Sequence, residues 1–194
     1  MSEILTFNTE ENVPDKTIYQ PKILGLVSED DPFLRQVLPE FDFNNPPVDP
    51  MQFASQLVET CKSLRGLGLS ANQCGYPYRV FVMGNNDNFV AFFNPKIVYS
   101  TPETVHMMEG CLSFPMLGLM ITRPEEVHVE YQDYTGEQKE ATFIGLTARC
   151  FQHELDHMNG ILYTDLAGPL ALKRGFSKRN KFKKSITKEM RRST

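Results

Sequence analysis

The sequence lacks any long apolar segment. No run approaches the ~20 apolar residues that a membrane-spanning helix needs. The N-terminal residues 1–15 are acidic and polar. They have neither the basic start and apolar core of a secretory signal nor the Arg-rich composition of an organelle transit peptide. We therefore expect a cytoplasmic protein that does not enter a membrane.

Cysteine pairing is also absent from the sequence pattern. The four cysteines form no C-x-x-C pair and are far apart in the chain: Cys61, Cys74, Cys111 and Cys150. In a cytoplasmic chain of 194 residues a disulfide framework is not expected. At least one thiol is then free for metal chemistry, and the others are expected to be small buried hydrophobic residues.

Basic residues are scarce until the C-terminal segment. Residues 1–172 contain 10 Lys/Arg against 23 Asp/Glu, whereas residues 173–194 contain 10 Lys/Arg and one acid, Glu189. A basic tail on an acidic body indicates contact with a polyanion. A solvated terminal helix is the equally weighted alternative.

A metal-binding pattern is present near the C-terminal end. The segment Gln152–His157 reads Q-H-E-L-D-H and contains H-E-x-x-H. On a helix, His153 and His157 project from one face about one turn apart, so both imidazoles can bind one metal ion. Glu154 can take a proton from a water molecule at that metal. Since such short matches also arise by chance, other segments must supply the rest of the site.

The third ligand has several candidates. Metalloproteases of this type take it downstream, where the chain has no histidine and Asp165 would be awkward. The upstream candidates are His106, Glu109, Cys111 and His128. Cys111 is the strongest, because a thiolate binds divalent transition metals well and its Gly-flanked segment can bend toward the helix. His128 falls on the polar face of a predicted strand and is expected to face solvent.

Local patterns predict the secondary structure around this helix. The Asp-Pro pairs at 31–32 and 49–50 predict helix starts, and the second helix continues to Arg65. Further helices are predicted over 146–158 and from Leu170 onward. Strands are predicted over 80–83, 89–93, 97–99, 127–131 and 141–144, with a break at Asn94-Pro95 and irregular backbone over 108–115.

These elements indicate an α+β fold. Small antiparallel or mixed sheets are expected to pack around the central metal-binding helix. A long helix lies in the N-terminal half, and a basic helix follows at the C-terminus. At 194 residues the chain is long enough for one domain with a substantial core.

Three segments resemble the ordered motifs of the peptide deformylase family. Gly66–Gln73 reads G-L-G-L-S-A-N-Q, Glu109–Ser113 reads E-G-C-L-S, and Gln152–His157 reads Q-H-E-L-D-H. The family shows G-x-G-L-A-A-x-Q, E-G-C-L-S and Q-H-E-x-D-H. Three motifs in this order are far more specific than any one of them. The resemblance spans most of the chain, from Asp31 to the basic segment.

The resemblance implies a hydrolase that removes the N-formyl group from the initiator methionine of nascent polypeptides and releases formate. Cys111, His153 and His157 would bind one divalent metal ion. The family implies Fe(II), and the donor set also admits Zn(II), Ni(II) and Co(II). Glu154 would move the proton between the attacking water and the departing amine.

The resemblance also assigns residues around the substrate. The backbone N–H of Leu112 and the side-chain amide of Gln73 correspond to the family's oxyanion donors. Gly68 and Leu69 would bind the peptide as an added strand. The residues expected to bind substrate are Gly66, Leu67, Gly68, Leu69, Gly110 and Cys150, with Leu146 and Phe151 as further candidate walls. Ordinary core packing is the favoured alternative for Leu67, Leu146, Cys150 and Phe151 taken singly. Glu109 is expected either to orient a ligating histidine or to form an ordinary salt bridge.

The resemblance extends to organisation and partners. Residues 1–168 are expected to form the catalytic body, of which residues 1–20 are a loosely ordered extension. Residues 169–194 are expected to add a basic helix to the same domain. Family analogy and charge together predict that this helix binds the ribosome. We expect a monomer that acts on N-formyl-Met nascent peptides.

Three features depart from the family's pattern. Ser70 stands where alanine is usual. Met116–Met120 reads M-L-G-L-M, where many bacterial members have a polar, Arg-bearing segment. An exposed apolar loop there would favour apolar substrates or a partner. The third departure is the long acidic N-terminus.

Two other functions remain open on sequence grounds. One is a zincin-type metallopeptidase, which the missing downstream histidine disfavours. The other is a non-catalytic metal-binding module, which would leave Glu154 without a role.

Overall fold

The computed structural model describes residues 21–86 and 88–191. The predicted loose extension, residues 1–20, lies outside them. Two 3-10 helices occur in this part of the chain, at Pro32–Arg35 and Ala71–Cys74. The α-helices are α1 (Pro50–Ser63), α2 (Gly145–Met158), α3 (Tyr163–Leu166) and α4 (Pro169–Met190). The strands are β1 (Gly68–Ser70), β2 (Val80–Asn85), β3 (Asn88–Ser100), β4 (Thr104–Cys111), β5 (Phe114–Pro124), β6 (Glu126–Gln132) and β7 (Gln138–Ile144).

The strands form two antiparallel sheets. One has five strands in the order β1-β2-β3-β6-β7, and the other is the hairpin β4-β5. Helix α2 packs against strands of both sheets. The predicted α+β fold, with small sheets around the metal-site helix, is confirmed. Among the described residues, no helix has the length and hydropathy that crossing a bilayer requires.

The predicted helix starts are confirmed at both Asp-Pro pairs. The Asp31 side chain accepts a hydrogen bond within the first turn of its 3-10 helix, and Asp49 accepts one from the first turn of α1. Helix α1 ends at Ser63 rather than at Arg65, because Arg65 adopts a left-handed φ of 57°. The N–H of Gly66 then donates to a carbonyl of the last turn, which closes the helix.

Two strand predictions were wrong. The chain does not break at Asn94-Pro95, because β3 runs through both residues with a register shift between Phe93 and Lys96. Asn94 absorbs the irregularity with a φ of 49°, as a β-bulge does. The segment over 108–115 is mostly strand, and its irregularity is confined to a register shift between Glu109 and Cys111. It forms the end of β4, a tight turn at Leu112-Ser113 and the start of β5.

The Met116–Met120 segment is a strand rather than an exposed loop. Its alternation buries Leu117 and Leu119 beneath α4 and leaves Met116 and Met120 at the surface. Helix α4 approaches closely because Gly175 has no side chain. A Cβ there would stand 2.7 Å from Leu119 Cδ2. The β4-β5 hairpin therefore packs between α2 and α4.

Candidate active site

Helix α2 and the end of β4 bring three metal-ligating groups together. The ligand atoms of Cys111, His153 and His157 all lie within 4.8 Å of one another. Cys111 Sγ is 3.4 Å from His157 Nε2. Tetrahedral bonds of roughly 2.3 Å to sulfur and 2.1 Å to nitrogen would place such atoms about 3.6 Å apart. The three side chains therefore fit one divalent metal ion with little movement.

Glu109 orients one of these ligands. Its Oε2 lies 3.2 Å from His153 Nδ1, so His153 presents Nε2 toward Cys111 and His157. The same carboxylate accepts hydrogen bonds from two buried arginines, Arg123 at 2.6 and 3.0 Å and Arg149. Glu109 is thus both the histidine partner and the salt-bridged acid that the sequence left as alternatives.

Glu154 projects into the same site beside the ligands. Its Oε2 accepts a hydrogen bond of 2.6 Å from the hydroxyl of Ser70. Its Oε1 lies against Gly68, where any added Cβ would overlap the carboxylate. Position 68 therefore requires glycine, because the backbone there lies too close to the Glu154 carboxylate for a side chain to fit. Its backbone belongs to β1, the edge strand of the five-stranded sheet.

Gln73 is held in one orientation by neighbours on both sides. Its Oε1 accepts from the Ser70 N–H at 2.9 Å, which identifies the opposite atom as the amide nitrogen. That Nε2 donates to Ser113 Oγ at 2.9 Å and lies 3.4 Å from Cys111 Sγ. A donor is therefore fixed beside the Cys111 sulfur, next to Leu112 of the β4-β5 turn.

A cavity of about 420 Å³ opens onto these groups. Its walls include Cys111, His153, Glu154, Gln73, Leu112, Gly66, Leu67, Gly68, Gly110, Leu146 and Cys150, together with Met108 and Met116. Two residues predicted around the substrate do not line it. The side chains of Leu69 and Phe151 are fully buried in the core. For Leu69, only the backbone remains to interact with a peptide.

The other candidate ligands lie elsewhere. Asp165 pairs with Arg35, His106 Nδ1 contacts Thr122 Oγ1 at 2.9 Å, and His128 pairs with a neighbouring glutamate at the surface. Within residues 21–86 and 88–191, Cys111, His153 and His157 are the only group of three or more such side chains placed to hold a metal ion. The upstream cysteine, rather than a downstream acid, completes the cluster.

Comparison with known proteins decides the family. A family model described as polypeptide deformylase matches residues 23–172, which is most of the chain. The chain belongs to the peptide deformylase family. A peptide deformylase of Rhizobium meliloti is 37% identical over 153 residues, covering 76% of this chain and 87% of the relative. One from Thermotoga neapolitana is 44% identical over 114 residues, covering 59% and 70%.

Solved deformylase structures share the fold. A peptide deformylase from Synechococcus elongatus, solved in complex with actinonin, superposes with a TM-score of 0.76 at 32% identity. The match covers 90% of this chain and 95% of that one. The enzyme from Thermotoga maritima gives a TM-score of 0.69 at 37% identity, covering 76% and 99%.

Burial sets the protonation of this deformylase site. The pKa of Glu154 is raised, chiefly because burial disfavours the carboxylate, although His153 and the Ser70 hydrogen bond oppose the rise. Burial also lowers the pKa of His157, which keeps that imidazole in the neutral form that binds metals. For His153, burial would lower the pKa, but hydrogen bonds with Cys111 and Glu109 raise it to about 10.

The sequence analysis did not predict a role for several residues of the deformylase site. Arg123 and Arg149 hold Glu109, and Ser113 holds Gln73. Ser113 belongs to the E-G-C-L-S motif, so the motif itself was a signal for it. For the two arginines no local pattern was available, because they lie 14 and 40 residues from Glu109.

Proposed function

We propose that this chain removes the N-formyl group from N-formyl-methionine peptides and releases formate. The observation that carries the proposal is the Cys111-His153-His157 cluster with Glu154 beside it, open to one cavity in a deformylase fold. Purified protein loaded with iron or nickel without oxygen should release formate from a formyl-Met tripeptide. No formate release from fully metal-loaded protein would refute the proposal.

Each side chain then has a defined task. A divalent metal ion held by Cys111, His153 and His157 would supply Lewis acidity, making a water molecule acidic and polarising the formyl oxygen. Glu154 accepts the proton of the attacking water and delivers it to the departing amine nitrogen.

Two donors beside the candidate metal ligands would stabilise the oxyanion. Gln73 Nε2 and the backbone N–H of Leu112 donate to the formyl oxygen as it gains charge. Losing one such donor raises the barrier by about 3 kcal/mol in comparable enzymes. Ser113 and Ser70 keep the Gln73 amide aimed correctly through the two hydrogen bonds that it forms.

The peptide is proposed to bind along the open edge of β1. An edge strand offers backbone groups to which an extended peptide can add as a further strand. Gly66, Leu67, Gly68, Leu69 and Gly110 would contribute backbone or surface to the peptide. Cys150, which lines the cavity, would help to enclose the methionine side chain.

The metal is proposed to be Fe(II) in the cell. One thiolate and two imidazoles also suit Zn(II), Ni(II) and Co(II), so availability rather than affinity decides the occupant. Elemental analysis of protein purified without oxygen tests this assignment. The site would lose an iron ion through oxidation of Cys111, because an accessible thiolate reacts readily with oxidants.

The alternative functions have less support. A zincin-type metallopeptidase takes its third ligand downstream, whereas Cys111 lies upstream and completes the cluster here. A non-catalytic metal-binding module would have no use for a buried carboxylate beside a cavity. Cleavage of an internal amide in an unformylated peptide would favour the metallopeptidase.

The exposed methionines that line the cavity predict that the enzyme prefers substrates with an apolar residue after the formyl-methionine. Met108 and Met116 line the cavity and are 60% and 48% exposed. Covering about 50 Å² of apolar surface is worth about 1 kcal/mol, or roughly 5- to 10-fold. We therefore expect kcat/KM for formyl-Met-Leu-Ser to exceed that for formyl-Met-Glu-Ser by this factor.

A matched pair of variants locates the source of that preference. Met108→Gln should reduce it, whereas Met120→Gln should not. Met120 faces Met108 across the hairpin and is exposed, but it does not line the cavity. Equal kcat/KM for the two peptides in the wild-type protein would contradict the prediction.

The distal half of α4 is proposed to bind the ribosome. Leu172, Phe176 and Arg179 attach the proximal half to the body, and Arg179 pairs with Glu29. Beyond Arg179 the helix presents exposed lysines. We expect replacement of Lys183, Lys184 and Lys188 by glutamine to weaken ribosome binding roughly 10-fold at low salt, without changing peptide turnover.

The control removes the same charge elsewhere. Replacing Lys22, Lys96 and Lys139 by glutamine changes the net charge equally, but these residues lie outside α4. Binding would be measured by ribosome cosedimentation across a salt series. Equal weakening in both variants would show that net charge rather than the helix is responsible.

We further propose that the protein is a monomer in the cytoplasm, where translation occurs, and that residues 1–168 form its catalytic body.

A further inference from the structure

Ser70 contacts Glu154, the proposed catalytic base. It ends β1 and is fully buried. Its Oγ lies 2.6 Å from Glu154 Oε2 and 3.3 Å from the Glu154 backbone oxygen. The shorter distance, to a carboxylate oxygen, identifies the acceptor, because hydrogen bonds to ionised groups are the shorter and stronger kind.

The two oxygens of Glu154 therefore differ in their surroundings. Oε2 is tied to Ser70, whereas Oε1 lies over Gly68 at the cavity wall. The final torsion of a glutamate side chain has a broad energy minimum, so packing alone does not select which oxygen faces the cavity. A directional hydrogen bond does select it.

We propose that Ser70 is a positioning residue that fixes the rotation of the Glu154 carboxylate, so that Oε1 alone faces the substrate. Ser70 also donates its backbone N–H to Gln73 Oε1. One residue thus aligns the base through its side chain and the oxyanion donor through its backbone. Any residue except proline retains the backbone interaction at this position, so only the hydroxyl is specific to serine.

The variant Ser70→Ala isolates the hydroxyl. It keeps the backbone N–H to Gln73 and creates no clash, and alanine is the usual residue in the motif. The proposal rests on the deformylase activity proposed above. We expect kcat for formate release to fall about 10-fold with KM unchanged, because a charge-assisted hydrogen bond is lost while the substrate surface is preserved. Ser70→Thr, which keeps the hydroxyl, should restore most of kcat.

A matched control removes another buried hydroxyl. Thr60 is fully buried and accepts a hydrogen bond from the Leu24 N–H, but it lies outside the cavity wall. Thr60→Val should lower the melting temperature without changing kcat. Ser70→Ala should instead lower kcat without changing the melting temperature. A purely structural role for the hydroxyl would not produce that result.

A crystal structure of Ser70→Ala supplies a readout independent of turnover. We expect the Glu154 carboxylate to rotate or to occupy two orientations, with Gly68 and Gln73 unmoved. Wild-type kcat together with an unrotated carboxylate would overturn the proposal for Ser70 and leave the deformylase assignment intact. A wild-type protein that releases no formate would instead refute the proposed function, and the crystal structure would still test the positioning.

Discussion

Replacing Glu154 with glutamine is expected to slow formate release by about 10²- to 10⁴-fold, which is the usual contribution of a general acid–base group. The amide has nearly the same shape, so it can still occupy the space over Gly68 and contact Ser70. It cannot take up the proton of the attacking water. The three metal ligands are unchanged, and the metal content should equal that of the wild-type protein.

The measurement combines kcat from formate release with metal content from elemental analysis. Glu140→Gln serves as the control, because Glu140 is an exposed residue of β7 that does not line the cavity. Its kcat should match the wild-type value. A Glu154→Gln variant that retained more than a tenth of wild-type kcat at full metal occupancy would show that another group moves the proton.

Replacing Glu109 with glutamine is expected to destabilise the protein by about 3–5 kcal/mol, the usual cost of breaking a buried ion pair. The change leaves Arg149 without its carboxylate partner and Arg123 with Asp156 alone. It also weakens the hydrogen bond that orients His153. Removing such a partner of a metal ligand typically lowers metal affinity by about 10- to 100-fold.

Two separate measurements test the predicted losses of stability and of metal affinity in Glu109→Gln. Denaturant unfolding of metal-free protein reports the loss of the buried ion pairs, and chelator competition reports the loss of metal affinity. Glu130→Gln is the matched control, because it breaks the surface pair with Lys96, whose side chain is 61% exposed. That pair is worth at most about 1 kcal/mol. A Glu109→Gln variant no less stable than this control would mean that the buried arginines find other partners.

Some elements were predictable because their signals act within a few residues. The Asp31 and Asp49 caps bond to backbone groups two or three residues away, so the helix starts could be read from the sequence. His153 and His157 share a helix face for the same reason. Thiol chemistry pointed to Cys111, and the family motifs added Gln73 and Leu112; the structure places all three at one cavity.

Other features were mispredicted because distant contacts decide them. The Met116–Met120 segment looked like a loop, but pairing with β4 and cover by α4 make it a strand that is buried on one face. Proline at 95 suggested a strand break, yet the neighbouring strands continue and the chain adapts with a bulge. For Phe151 the sequence left both the cavity wall and the core open, and the helix turns its side chain into the core.

The candidate donor set, the proposed base, the order of the motifs and the α+β class could all be predicted from the sequence. These depend on residue chemistry and on spacings within one helix or one motif. How the candidate site is held together depends on contacts between distant parts of the fold. Ser70 and Glu154 are 84 residues apart, and Glu109 and Arg149 are 40 apart. Such pairs meet only because the sheet edge, the hairpin and helix α2 pack together, and no periodicity along the chain encodes that packing.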